Sequence, residues 1–159
     1  MIKPVLTKTF ERRGFLRLSG GVAALAVTQF LPFSARADRA AVAKAMKAVL
    51  GERKPATGKV TIDLPEIAED GSSVQMTIAV ESPMTETNFV KTVHVFAEGN
   101  PRPNVASFHF TPLSGEARVT TRIRLAKTQN IVALAEMSDG SVFVAKRSIK
   151  VTVGGCGDS

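Results

Sequence analysis

Apolar and polar residues alternate along most of the chain after Lys59, which is the pattern of β-strands with one buried face. Between Val74 and Val80 every second residue is apolar, and between Arg118 and Arg124 polar residues take the alternate positions. The segments predicted as strands are Lys59 to Asp63, Val74 to Glu81, Phe89 to Ala97, Val105 to Phe110, Ala117 to Leu125, Asn130 to Met137 and Ser141 to Val153. Short turns join them, so consecutive strands should be mostly antiparallel. The pattern predicts an all-β, immunoglobulin-like antiparallel β-sandwich.

A segment with helical periodicity precedes the strands. It runs from Asp38, which is suited to cap a first turn, to Leu50, and Gly51 follows as a stop. The apolar residues that fall on one face are Val42, Met46, Val49 and Leu50. We expect this helix to pack on or beside the sandwich.

The first 37 residues have the features of a bacterial export signal. Arg12 to Arg17 reads RRGFLR, which matches the twin-arginine pattern, and an uncharged apolar run extends from Leu18 to Leu31. The run is too short for a secure membrane span, which needs about 20 apolar residues. We expect export to the periplasm, cleavage between Ala37 and Asp38, and no membrane attachment afterwards. An ordinary secretory signal with an accidental arginine pair is the alternative.

The net charge of +7 is concentrated in the same N-terminal segment. Up to residue 37 there are six basic residues against one acidic residue, so the remainder is close to neutral. A near-neutral body without clustered basic and aromatic residues argues against nucleic-acid binding. His94 and His109 are the only histidines and no CxxC, CxxCH or HExxH spacing occurs, so no metal site or cofactor is predicted. Twin-arginine export of a folded protein without a cofactor favours a partner subunit that travels with the chain.

The candidate functional residue is Cys156, the single cysteine, in the glycine-rich C-terminal arm of residues 154–159. Gly154, Gly155 and Gly157 leave the backbone around the thiol free, and three residues beyond the last strand can extend about 10 Å. A hydrolase would need a fixed histidine base and an oxyanion site, which a tail does not provide. An unpaired exported thiol must react, form a mixed disulfide or pair between chains. A carrier of sulfur substrates and a homodimer crosslinked through Cys156 therefore both stay open.

Four segments and the twin-arginine leader together resemble one family. The segments are Asn100 to Pro103, Thr121 to Ala126, Ala135 to Ser141 and Lys150 to Gly157. They resemble SoxY, the carrier subunit of the periplasmic thiosulfate-oxidising Sox system. The resemblance implies that Cys156 binds the sulfur substrate covalently and that Gly154, Gly155 and Gly157 form its carrier arm. Asp158 stands where the family usually has glycine, and its charge near the thiol is expected to weaken or retune loading without abolishing it.

The resemblance also implies the partners. They are a SoxZ-like subunit in a heterodimer and, transiently, a c-type cytochrome, a manganese hydrolase and other Sox enzymes. By the same resemblance, the cytochrome is expected to join thiosulfate to the thiol and the hydrolase to release sulfate. The chain itself is then expected to be a carrier without catalytic residues or a cofactor. The predicted organisation is a signal peptide over residues 1–37, a sandwich with an N-terminal helix over 38–153 and the carrier arm over 154–159.

Overall fold

Two β-sheets that enclose a common core build the part of the chain described by the computed structural model, residues 34–155. The elements are helix α1 Ser34–Leu50 and strands β1 Ala56–Thr57, β2 Val60–Asp63, β3 Ile67–Asp70, β4 Val74–Val80, β5 Val90–Ala97, β6 Asn104–His109, β7 Ala117–Ile123, β8 Gln129–Met137 and β9 Val142–Val153. A single 3-10 turn, Pro112–Ser114, precedes β7. The predicted all-β, immunoglobulin-like sandwich is therefore confirmed.

The larger sheet has the strand order β1-β9-β8-β5-β6, with β3 also paired to β9, and the smaller sheet has the order β2-β4-β7. The pairs formed by the seven predicted segments are antiparallel, as expected. Strands β1 and β3 were not predicted, and both run parallel to β9. They are short, and in β3 only Ala68 is buried, so neither carries a clear alternation in sequence.

The core lies between the sheets and is filled by the inward positions of the alternating strands. In β4 the buried positions are Val74, Met76, Ile78 and Val80, which is the face predicted from the sequence. They meet fully buried residues of the larger sheet, including Val93 and Val95 of β5. Burial of such side chains contributes about 1.5–3 kcal/mol each. Strand alternation therefore accounts for both the register and the stability of the sandwich.

Helix α1 packs on the outer face of the larger sheet. Val42 is buried there beside Phe96 and Leu134, and the remaining residues of the predicted apolar face, with Ala45, pack around them. The helix begins at Ser34 rather than at Asp38, because the alanine-rich stretch before Asp38 also favours helix. Asp38 consequently lies inside the helix and not at its N-cap.

The predicted export signal lies almost wholly in residues 1–33, which are outside the described residues. Twin-arginine export, cleavage before Asp38 and the proposed domain limits therefore stay predictions. No helix within residues 34–155 is long and apolar enough to cross a membrane.

Candidate functional site at the base of the C-terminal arm

The C-terminal arm leaves the sandwich at the end of β9. Its first two residues, Gly154 and Gly155, continue from Val153 and are described, whereas Cys156 and Gly157 lie outside the described residues. The structure thus gives the geometry of the base of the arm, directly before the candidate thiol. The carrier roles predicted for the cysteine and the three glycines stay predictions.

Backbone hydrogen bonds hold the base of the arm against the sandwich. The Gly71 N–H donates to the Val153 carbonyl at 2.8 Å, and the Leu125 N–H donates to the Gly71 carbonyl at 2.8 Å. The Gly155 N–H donates in turn to the Leu125 carbonyl at 2.9 Å. These bonds link the end of β9 to the turn before β4 and to the segment after β7. The residue immediately before Cys156 is therefore docked on the fold.

The glycines at this point allow backbones to approach closely. A Cβ added at Gly155 would overlap the backbone of Gly71 and Ser72, and one added at Gly154 would overlap the Ala126 carbonyl oxygen. A backbone neighbour cannot rotate away as a flexible side chain would, so a larger residue requires the arm to move. We refer to the surface that receives the arm as the arm socket. It consists of Gly71, Ser72, Leu125 and Ala126.

The Asn100 side chain stabilises the arm socket through three hydrogen bonds. Its Oδ1 accepts from the Ala126 N–H and from the Gln129 side-chain amide, both at 2.9 Å, and its Nδ2 donates to the Arg124 carbonyl at 2.8 Å. The buried Gln129 accepts from the Gly99 N–H at 2.6 Å. This network fixes the segment whose carbonyl receives the arm.

Sequence reasoning did not identify these supporting residues as part of a site. Two of the segments used for the family resemblance, residues 100–103 and 121–126, meet here with the residues that open the arm. Their distance in sequence hides the contact, since strands far apart in the chain bring them together. The similarity of these two segments to the family was the sequence signal that could have pointed to this site.

Replacing Asn100 by alanine is expected to lower the free energy of unfolding by about 1–3 kcal/mol, because the Ala126 N–H and the Gln129 amide lose a partner in a partly buried position. Denaturant unfolding measures the change. Asn104→Ala is the matched control, since the exposed Asn104 starts β6 nearby. Equal stability of the two variants would contradict the supporting role of Asn100.

A basic groove lies beside the arm socket, between β6 and β7, the edge strands of the two sheets. It has a volume of about 420 Å³, and its lining includes Arg102, Arg122 and Arg124 but no carboxylate. The Arg122 guanidinium lies 3.5 Å from the Ser73 carbonyl and 3.4 Å from its hydroxyl. Because Ser73 follows Ser72, the groove and the arm socket are neighbours. The groove therefore concentrates positive charge near Gly155, the last described residue of the arm.

The two histidines have partners elsewhere on the larger sheet. His94 Nδ1 lies 2.9 Å from the Ser107 hydroxyl, and burial lowers the pKa of His94 although nearby Glu136 opposes the shift. His109 Nδ1 lies 3.1 Å from the Thr92 hydroxyl. Over residues 34–155 no group of three or more His, Cys, Asp or Glu side chains is arranged to hold a metal ion.

Comparison with known proteins identifies the family. The family model described as Sulfur oxidation protein SoxY matches residues 46–156. The chain belongs to the SoxY family. Among solved structures, the sulfur carrier protein SoxY from Chlorobium limicola f thiosulfatophilum is 31% identical, with a TM-score of 0.61 over 72% of this chain and 99% of that chain. The SoxY resemblance inferred from the sequence is therefore confirmed, and it assigns the chain to sulfur oxidation.

Other solved structures share the fold of this SoxY family member. A superoxide reductase (neelaredoxin) from Ignicoccus hospitalis is 21% identical, with a TM-score of 0.53 over 59% of this chain and 80% of that chain. A putative superoxide reductase from Thermotoga maritima is 23% identical, with a TM-score of 0.53 over 61% and 93%. At such identity the likeness concerns the β-sandwich alone. A comparison with curated proteins finds no match.

Proposed function

We propose that this SoxY family member is a covalent carrier of sulfur intermediates in thiosulfate oxidation, with the Cys156 thiol as the attachment point. The observation that carries the proposal is the docking of Gly155, which anchors the chain up to the residue before the thiol. The family match also ends at residue 156. An arm that is anchored at its base and carries a thiol just beyond the anchor is suited to present that thiol to other proteins.

The chemistry of loading needs a thiol and an external oxidant. The Cys156 sulfur forms a disulfide-type bond with the outer sulfur of thiosulfate, one proton leaves the thiol, and two electrons pass to an acceptor such as a c-type cytochrome. Water then splits the adduct into sulfate and a persulfide on Cys156, with release of protons, a hydrolysis suited to a manganese hydrolase. Membership of the SoxY family supports the proposal that the chain is a carrier rather than an enzyme.

The proposed partner is a SoxZ-like subunit in a heterodimer, with a cytochrome, a hydrolase and other Sox enzymes as transient partners. The proposed location is the periplasm, reached by the twin-arginine route. The RRGFLR sequence and family membership support both proposals. Export in the folded state would allow a partner without its own signal to be carried along.

Intact-mass measurement of the protein purified from cells tests the carrier role. Protein from cells supplied with thiosulfate is expected to carry added sulfur or thiosulfonate masses on Cys156, and protein from cells without thiosulfate is expected to lack them. Reduction should remove the added mass, and peptide mapping should place it on Cys156. Protein that contains only free thiol, or only a disulfide-linked homodimer, would favour a crosslinking subunit and contradict the proposal.

A further inference from the structure

Arg53 joins the C-terminal end of helix α1 to the larger sheet. The helix ends at Leu50, and the Arg53 side chain folds back on it: Nε–H donates to the Leu50 carbonyl at 3.0 Å and Nη2 donates to the Val49 carbonyl at 2.6 Å. The same Nη2 also contacts the Glu136 carboxylate of β8 at 2.5 Å. The last carbonyls of a helix have no partners within the helix, and a cation placed there is favourable. Arg53 therefore caps α1 and ties it to β8.

His94 lies on the other side of the same carboxylate. Its Nε2 is 3.8 Å from the second carboxylate oxygen of Glu136, and its Nδ1 is 2.9 Å from the Ser107 hydroxyl on β6. The imidazole ring stacks on Phe96, with the ring centroids 6.4 Å apart. Phe96 and Leu134, the cross-strand partner of His94, are both fully buried in the apolar cluster under α1. His94 thus lies at the border of the helix interface, and one carboxylate serves both the histidine and the helix cap.

The surroundings of His94 favour the neutral imidazole while α1 is docked. The side chains of His94 and Glu136 are only 16% and 20% exposed. Burial lowers the pKa of His94, the Glu136 carboxylate raises it, and His109 on β6 lowers it further. Arg53 adds a positive charge on the far side of Glu136. The α1 side chains that pack on this face are apolar, namely Ala45, Met46, Val49 and Leu50.

We propose that Arg53, Glu136 and His94 form a proton-sensitive latch, which holds the C-terminal end of α1 on the larger sheet while His94 is neutral and releases it when His94 is protonated. A histidine in water takes up its proton at about pH 6.5. Because the pKa of His94 is lower in the docked state, that state binds fewer protons than the released state. Docking is therefore at full strength above about pH 6.5 and weakens as the pH falls through the lowered pKa. The charged imidazole then also competes with Arg53 for Glu136.

Release is expected to be confined to the end of α1 that Arg53 holds. Towards the other end, the described ion pairs join Glu98 to Arg39 and to Lys146 and involve no histidine, and Val42 is buried on the sheet. The last turn and Arg53 are therefore the part that moves. The latch goes beyond the proposed carrier function and does not depend on it. Oxidation of thiosulfate to sulfate releases protons, so that function would supply the acid to which the latch responds.

A titration followed by nuclear magnetic resonance tests the latch in the purified protein. As the pH is lowered from about 8 to about 5.5, the Nε–H signal of Arg53 should be lost and the methyl resonances of Leu134 should move, both with the midpoint of the His94 ring proton. The equilibrium constant for release is expected to rise about tenfold for each pH unit between the two pKa values of His94. In His94→Gln, which does not titrate, the Arg53 signal and the Leu134 resonances should stay unchanged. His109→Gln is the matched control and should keep the response.

Three results would overturn the latch. One is an unchanged Arg53 signal and unchanged Leu134 resonances while His94 titrates, and another is an equal response in His94→Gln. A second variant, Glu136→Gln, removes the charge that joins the two cations and should move the Leu134 resonances towards their acid positions already at neutral pH. Leu134 resonances that stay at their original positions in this variant would be the third. Sulfur loading of Cys156 should be the same with and without His94→Gln, so these results leave the carrier function to its own test.

Discussion

Replacing Cys156 by serine is expected to abolish thiosulfate-dependent sulfur loading completely while the fold is retained. Loading requires a bond between sulfur atoms, and a serine hydroxyl is neither a comparable nucleophile nor a disulfide partner. The described core runs from Val42 to Val151 and is complete before the arm begins. The free energy of unfolding is therefore expected to change by less than about 0.5 kcal/mol.

The measurement combines thiosulfate consumption by cells that express the variant with the intact mass of the purified protein. Ser159→Ala is the matched control, because it changes the same arm without removing the thiol. The control should load like the unaltered protein. Thiosulfate consumption at the unaltered rate in the serine variant would show that sulfur does not pass through this residue.

The sandwich was predictable because alternation of apolar residues is a local property. Each of the seven predicted segments is a strand, with ends that differ by a residue or two. Strands β1 and β3 were missed because their pairing with β9 is a tertiary effect. In β1 both residues, Ala56 and Thr57, are exposed, so no alternation marks them. The start of α1 was placed too late for a related reason, since Asp38 suits a cap but the preceding alanines continue the helix.

The site was predictable only in part. Glycine residues on both sides of a cysteine indicate a free backbone, and this interpretation predicted the C-terminal arm. The same residue type also permits close backbone contact, and only the fold shows that Gly155 has such a contact with Gly71. The expected weakening of loading by Asp158 considered the sequence alone. The fold adds that three arginines, Arg102, Arg122 and Arg124, line a groove near the base of the arm and that no carboxylate lines it.

Replacing Gly155 by valine is expected to detach the base of the arm from its socket. The added side chain would overlap the backbone of Gly71 and Ser72, and the least costly response is for the arm to move out. The hydrogen bond to Leu125 is then lost, which should lower the free energy of unfolding by about 1–3 kcal/mol. The decrease in the free energy of unfolding is limited because only the arm moves away and the core stays packed.

Amide hydrogen exchange and chemical loading together distinguish detachment from general unfolding. Exchange is expected to accelerate at position 155 and at Gly71, whose N–H bonds to Val153, while the amides of β5 stay protected. Cys156 should still react fully with tetrathionate, because that reaction needs only the thiol. Val153→Ala is the matched control, since the Val153 side chain is 61% exposed and the replacement keeps the backbone carbonyl that accepts from Gly71. Unchanged exchange at Gly71 and position 155 would mean that the docked arm base is not what holds these amides, and the socket would lose its assigned role.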